Sequence, residues 1–106
     1  MVVELSESDT RFPDLTPGQP YAVLGIEADD LRILNDQGRP YLYPPEILNV
    51  VDAREPSDWV SEIGEDNERY AYPVALSGPR FFEDYFEGRP DVVATFWQAM
   101  NRRLSS

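Results

Sequence analysis

No apolar run in this 106-residue chain exceeds six residues, and the longest, Tyr21-Ala22-Val23-Leu24-Gly25-Ile26, already contains a glycine. Runs of four to six residues bounded by turn residues read as short antiparallel strands. A bilayer span needs about 20 consecutive apolar residues, so this pattern excludes a membrane helix. The strands repeat down the chain. Tyr21–Ile26 predicts a strand bent or bulged at Gly25. Ala28-Asp29-Asp30 turns into Leu31–Leu34. Asn35-Asp36-Gln37-Gly38 has the chemistry of a type I turn with glycine last, often followed by a hairpin bulge. Pro40–Tyr43 returns and is stopped by Pro44-Pro45, because proline has no N–H for a ladder. Leu48–Asp52 is a further strand. Trp59–Ile63 and Arg69–Tyr72 flank Gly64-Glu65-Asp66-Asn67-Glu68, a hairpin with an acidic tip.

After residue 78 the period changes. Pro79 to Gly88 carries a helix start and stop around Phe81-Phe82-Glu83-Asp84-Tyr85-Phe86, which predicts one short helical turn. Pro90 opens a longer helix through about Leu104. Its apolar residues Val92, Val93, Phe96, Trp97, Met100 and Leu104 fall within about 140° of arc, an amphipathic stripe. Asp91 at its start and Arg102 and Arg103 at its end suit the helix dipole. The expected organisation is a single domain over 1–106: an irregular arm at 1–19 with Leu5, Phe12 and Leu15 tucked against the body, a small antiparallel barrel of five to six strands at 20–77, and a helical segment at 79–104 that covers an open face or edge. Trp97 and Met100 either extend the core or lie in an oligomer interface.

Composition bounds the chemistry. The chain has no histidine, cysteine or lysine; all nine basic residues are arginine, against twenty carboxylates, for a formal charge of −11. This removes thiolate metal sites, disulfides and most nucleophile and general-base machinery. A strongly acidic domain is repelled at long range from phosphate backbones and anionic lipid. The natural partner is a basic protein or nothing charged at all, the acidity then serving only solubility; nucleic acid and membrane are not expected. The N-terminus Met1-Val2-Val3-Glu4-Leu5 has neither the basic start nor the apolar stretch of a signal peptide, and a cytoplasmic monomer or small homo-oligomer is the expectation.

Several strings together carry a resemblance: Tyr21–Ile26, Ile33-Leu34-Asn35-Asp36-Gln37-Gly38-Arg39-Pro40, Asp58-Trp59-Val60 and Phe81–Phe86. The set resembles small uncharacterised bacterial proteins with an SH3-type or Sm-like barrel, over about residues 20–87. The resemblance implies the barrel and no established activity. The Arg-Gly signature of an RNA-binding Sm protein is missing, and Trp59 stands without the paired tryptophan of a peptide-binding SH3 domain.

The candidate binding residues are aromatic. Tyr41 and Tyr43, and Tyr70 and Tyr72, are each spaced to share one face of a strand. With Trp59 they either form an exposed contact surface or fill the core with their hydroxyls at its rim. Asp30, Asp36, Asp52 and Asp58 offer carboxylates, but each falls at a strand end or turn, where aspartate hydrogen-bonds locally. Glu65-Asp66-Asn67-Glu68 lacks the ligand spacing of a calcium loop. The sequence therefore points to no catalytic residue, no metal and no cofactor. It points to a non-enzymatic acidic interaction module, with an Sm-like nucleic-acid-binding oligomer as the alternative.

Overall fold

The computed structural model describes residues 1–104, the side chain of Leu104 excepted, so the expectation that Leu104 joins the helix stripe lies outside what is described. Seven antiparallel strands form one open sheet: β1 (Val2–Leu5), β2 (Tyr21–Glu27), β3 (Asp30–Leu34), β4 (Pro40–Tyr43), β5 (Leu48–Asp52), β6 (Trp59–Ile63) and β7 (Arg69–Pro73). Two helices follow, α1 (Phe81–Phe86) and α2 (Pro90–Leu104). The spatial order is β4-β3-β2-β1-β5, with β7 joined to β2 and β6 to β7.

The turns form for the reasons their residues suggest. Gly38 takes φ +73 and its N–H donates to the Asn35 carbonyl (2.9 Å). At the acidic tip Asn67 takes φ +63, which asparagine tolerates better than most residues. The Gly64 N–H donates to the Glu68 carbonyl (2.7 Å), closing a three-residue hairpin loop. Pro45 opens a 3₁₀ turn, Pro45–Ile47, that redirects the chain into β5.

Two expectations are corrected. The N-terminal arm is not irregular throughout: Val2–Leu5 is a strand lying between β2 and β5. Val3 and Leu5 alternate inward and are buried, so two apolar side chains and a paired backbone suffice to seat it. The barrel does not close. β4, β5 and β6 each pair on one side only among the described strands, so the sheet keeps three edges and has seven strands rather than five or six.

β2 organises the molecule because its side chains alternate between two cores. Val23 faces a cluster with Val3, Leu5, Leu15, Ile33, Tyr43 and Leu48. Leu24 faces a second cluster, with Tyr72, Leu76, Phe82, Phe96 and Met100, beneath the helices. Leu15 is buried and Phe12 packs edge-on against Tyr43 (5.6 Å), so the loop after β1 seals the first core. In α2, Phe96 and Met100 belong to the second core, whereas Trp97 is 38% exposed at its margin.

Candidate functional site

The second core opens into a groove of about 620 Å³ between the β6–β7 hairpin and α1. One wall is a two-by-two patch set by register: Val60 lies opposite Tyr72, and Glu62 opposite Tyr70. The other wall is the turn Gly78-Pro79-Arg80 with Phe81, Phe82, Glu83 and Phe86. Arg32, Ala71 and Leu76 form the floor, and Glu27 stands at the rim.

Arg32 explains why the floor is ordered. It occupies a strand position flanked by Leu31 and Ile33, which face the first core, so Arg32 faces the second. It is 5% exposed. Its Nε donates to the Tyr72 hydroxyl (2.8 Å), Nη1 to the Pro40 carbonyl (2.8 Å) and Nη2 to Glu27 Oε1 (3.0 Å). The guanidinium also lies 4.0 Å over the Phe82 ring, a cation–π contact. The Tyr72 hydroxyl in turn donates to Glu27 Oε1 (3.0 Å). Charge, donor and acceptor are thus matched inside an apolar layer, which is the condition for burying a cation at tolerable cost.

Gly25 makes the space. It pairs with Arg32 across the hairpin, and the Tyr72 ring lies over it so closely that a Cβ would overlap ring carbons and stand 2.8 Å from the Ala71 carbonyl. The ladder shifts register between Val23 and Gly25, the bulge that a glycine within a strand suggested.

Burial pushes the Tyr72 hydroxyl well above the ordinary tyrosine range; Arg32 opposes that rise and Glu27 adds to it. Tyr72 is therefore a neutral donor at pH 7. Tyr70, whose hydroxyl donates to Glu68 (3.2 Å), is raised by burial and then by that carboxylate and the fields of Glu27 and Asp66. The carboxylates of Glu27, Glu62 and Glu83 stand around the groove, beside its aromatic walls and the paired Arg80.

The five candidate aromatics separate. Tyr70 and Tyr72 line this groove. Tyr43 is 2% exposed, its hydroxyl accepting from Asn35 Nδ2 (3.1 Å), so it is a core residue. Tyr41 packs against Phe86 (5.5 Å) and the margin of the first core. Trp59 is half-buried and lines a separate cleft of about 330 Å³ with Pro56, Pro73, Met100 and Arg103. Its Nε1 is buried without a hydrogen-bond partner. The sequence does not single out Glu27, and it does not bring Arg32, Glu62 and Phe82 together as one site. The available signal was a charged residue inside the apolar run Leu31–Leu34, which calls for a partner on an adjacent strand.

Two of the four candidate carboxylates, Asp36 and Asp52, hold local structure. Asp52 accepts from the Arg54 backbone (2.9 Å) and guanidinium, and Asp36 accepts from the Tyr21 hydroxyl (2.6 Å) and Thr16 (2.7 Å). Arg11, Arg32, Arg54, Arg69, Arg80 and Arg89 each lie within ion-pair distance of a carboxylate of this chain, and Arg80 and Arg89 share Asp84. Among the described residues no helix is long and apolar enough to cross a membrane. No protein-family model, no curated protein and no solved structure matches the chain.

Proposed function

We propose that this chain is a non-enzymatic interaction module that seats a basic and partly apolar segment of a partner protein in the groove between the β6–β7 hairpin and α1. The observation that carries the reading is the pairing of aromatic walls with one uncommitted carboxylate, Glu62. Tyr70, Tyr72, Phe81 and Phe86 supply contact area at low entropic cost. Glu62, beside Tyr70, enters no side-chain hydrogen bond or ion pair among the described residues. At −11, the whole chain steers a basic partner toward such a site.

The absence of histidine, cysteine and lysine supports binding over catalysis, since apart from Ser77 and the carboxylates of Glu27, Glu62 and Glu83 the groove offers only protonated phenols and arginines already paired with carboxylates. The same reading takes the fold as an SH3-type partial barrel. What supports it is that β2 pairs along one edge with both β1 and β7, as a bent strand passing between two sheets does. A cytoplasmic location and a monomer or small homo-oligomer belong to the reading as well. Nucleic acid is disfavoured because the six paired arginines are spent on carboxylates of this chain.

Capture from lysate with the wild-type chain, with Glu62→Arg and with Glu7→Arg as a remote charge control tests the proposal. A basic protein retained by the wild type and the control but lost with Glu62→Arg is the expected result. Partners insensitive to Glu62→Arg would sink it.

A further inference from the structure

Among the described strands the sheet has three open edges, and they are not equally protected. The β4 edge begins at Pro40 and runs into Pro44 and Pro45. The β5 edge is interrupted by a bulge: Val2 lies opposite Asp52 and Val3 opposite Val50, leaving Val51 unpaired. Prolines and bulges are devices that keep an edge from accepting another strand. β6 has neither. It pairs with β7 over five consecutive positions without a register shift, and contains no proline, lysine or arginine. Residues 60–63 are all exposed, with Val60 at 51% and Ile63 at 62%.

The hydrogen-bond phase of β6 is fixed by its neighbour. The Arg69 N–H donates to Asp29 Oδ1 (2.9 Å) and its carbonyl accepts from the Asp29 N–H (3.0 Å), both on the side away from β6. Ile63↔Arg69 is therefore a non-hydrogen-bonded pair, and by alternation so is Ser61↔Ala71. The N–H and C=O groups of Ser61 and Ile63 then point to the open edge. The side chains between and beside them, Val60 and Glu62, line the groove.

We infer that β6 is a strand-addition site, and that the partner segment joins the sheet as an eighth strand with a basic side chain opposite Glu62 and an apolar one opposite Val60. The inference rests on the groove reading and specifies its geometry. Strand addition takes affinity from main-chain bonds and specificity from alternate side chains. Residues opposite Val60 and Glu62 would occupy non-hydrogen-bonded positions, where facing side chains approach most closely. The charge of −11 and Glu62 select a basic heterologous segment over a second copy of the chain.

The test is a titration followed by amide NMR. The probe is an eight-residue peptide in which threonine alternates with valine and arginine in turn, so that valine and arginine share one face. A second probe is the same peptide N-methylated at every threonine, which keeps charge and side chains but removes the donors facing β6. The expected result is shifts and slowed exchange at the Ser61 and Ile63 amides with the first peptide, and binding at least ~10-fold weaker for the second, from the loss of several net backbone bonds. Ser61→Pro removes an edge donor at a position where proline is tolerated, and weakens the first peptide by a similar factor while the remaining spectrum is retained. Ile63→Pro, whose side chain makes no hydrogen bond to lose, is the second variant. Equal binding of the two peptides with shifts at Tyr70 and Tyr72 overturns strand addition and leaves the groove reading standing. Binding of neither peptide also overturns strand addition, and the groove reading is then decided by the Glu62→Arg capture.

Discussion

Replacing Arg32 with alanine tests whether the buried guanidinium ties β3, β7 and α1 together. The substitution removes three charge-assisted hydrogen bonds and a ring contact. Each such bond has a net worth of about 1.5–3 kcal/mol, and removing one partner of a buried ion pair typically costs about 3–5 kcal/mol because the other is stranded. Two features set where in that range Arg32→Ala falls. The Glu27 side chain is 36% exposed, so its orphaned carboxylate can rehydrate, which lowers the cost. The Pro40 carbonyl, on a buried residue, loses its guanidinium donor, which raises it. A loss of about 3 kcal/mol follows, against a total of roughly 5–16 kcal/mol for a domain of this length. Urea unfolding reports it as a midpoint shift of about 2 M at a slope near 1.5 kcal/mol/M. Glu27→Gln keeps an acceptor and loses charge at a part-exposed site, for about 1 kcal/mol. The two substitutions share a contact, so the double variant should lose about 1 kcal/mol less than the sum. A loss below 1 kcal/mol for Arg32→Ala, or strict additivity with Glu27→Gln, would refute the argument that the guanidinium is structurally bound.

Gly25→Ala forces a Cβ into the Tyr72 ring; overpacking should cost about 1–3 kcal/mol, and an unchanged melting temperature would show that β7 does not cross there. Phe96→Ala, at a fully buried position against Phe82, Tyr85 and Trp97, should cost about 3–5 kcal/mol. Trp97→Ala, at the margin, should cost clearly less, and the reverse ranking would contradict the placement of the second core. Stability should be level from about pH 5 to 9 in N-terminally acetylated protein, since no side chain here has an ordinary pKa between glutamate and tyrosine. It should fall on both sides of that plateau. Glu55, Asp52 and Asp9 are held low chiefly by hydrogen bonds from Arg69, Arg54 and Arg11, so their contribution is present above about pH 4 and lost as pH falls through their folded values. Asp30, raised by burial, offsets part of that loss. Tyr43 and Tyr72 are raised by burial, so their contribution is complete below about pH 10 and lost as pH rises beyond it. A slope in urea midpoint between pH 6 and 8.5 would contradict this.

Strands closed by local chemistry were legible in the sequence. β4, β5 and β6 coincide with the runs read from prolines, glycine turns and the acidic tip, and α2 spans the amphipathic stretch that Pro90 opens. β1 was hidden because its only inward residues are Val3 and Leu5, too few to show a period; its partners lie about 20 and 45 residues away. The tyrosine pairs show the same limit. Spacing of two tells which residues share a face but not what that face meets, and the answer differs: Tyr43 meets the first core, while Tyr72 meets Arg32, 40 residues distant. Failure of the barrel to close is likewise a property of distant edges that no local run encodes.

One edge of β2 is occupied end to end by two different strands: β1 at Tyr21 and Ala22, β7 at Ile26. They are tenants of a single wall, and the bulge at Gly25 is the partition between them. The meander of β2, β3 and β4 is local and can assemble early, whereas β1 and β7 must each be recruited from outside it, one from either side in sequence. Until both are seated, either can slide into the other's share of the wall. The register of both strands against β2 is therefore decided at residues 23–25, where the ladder shifts.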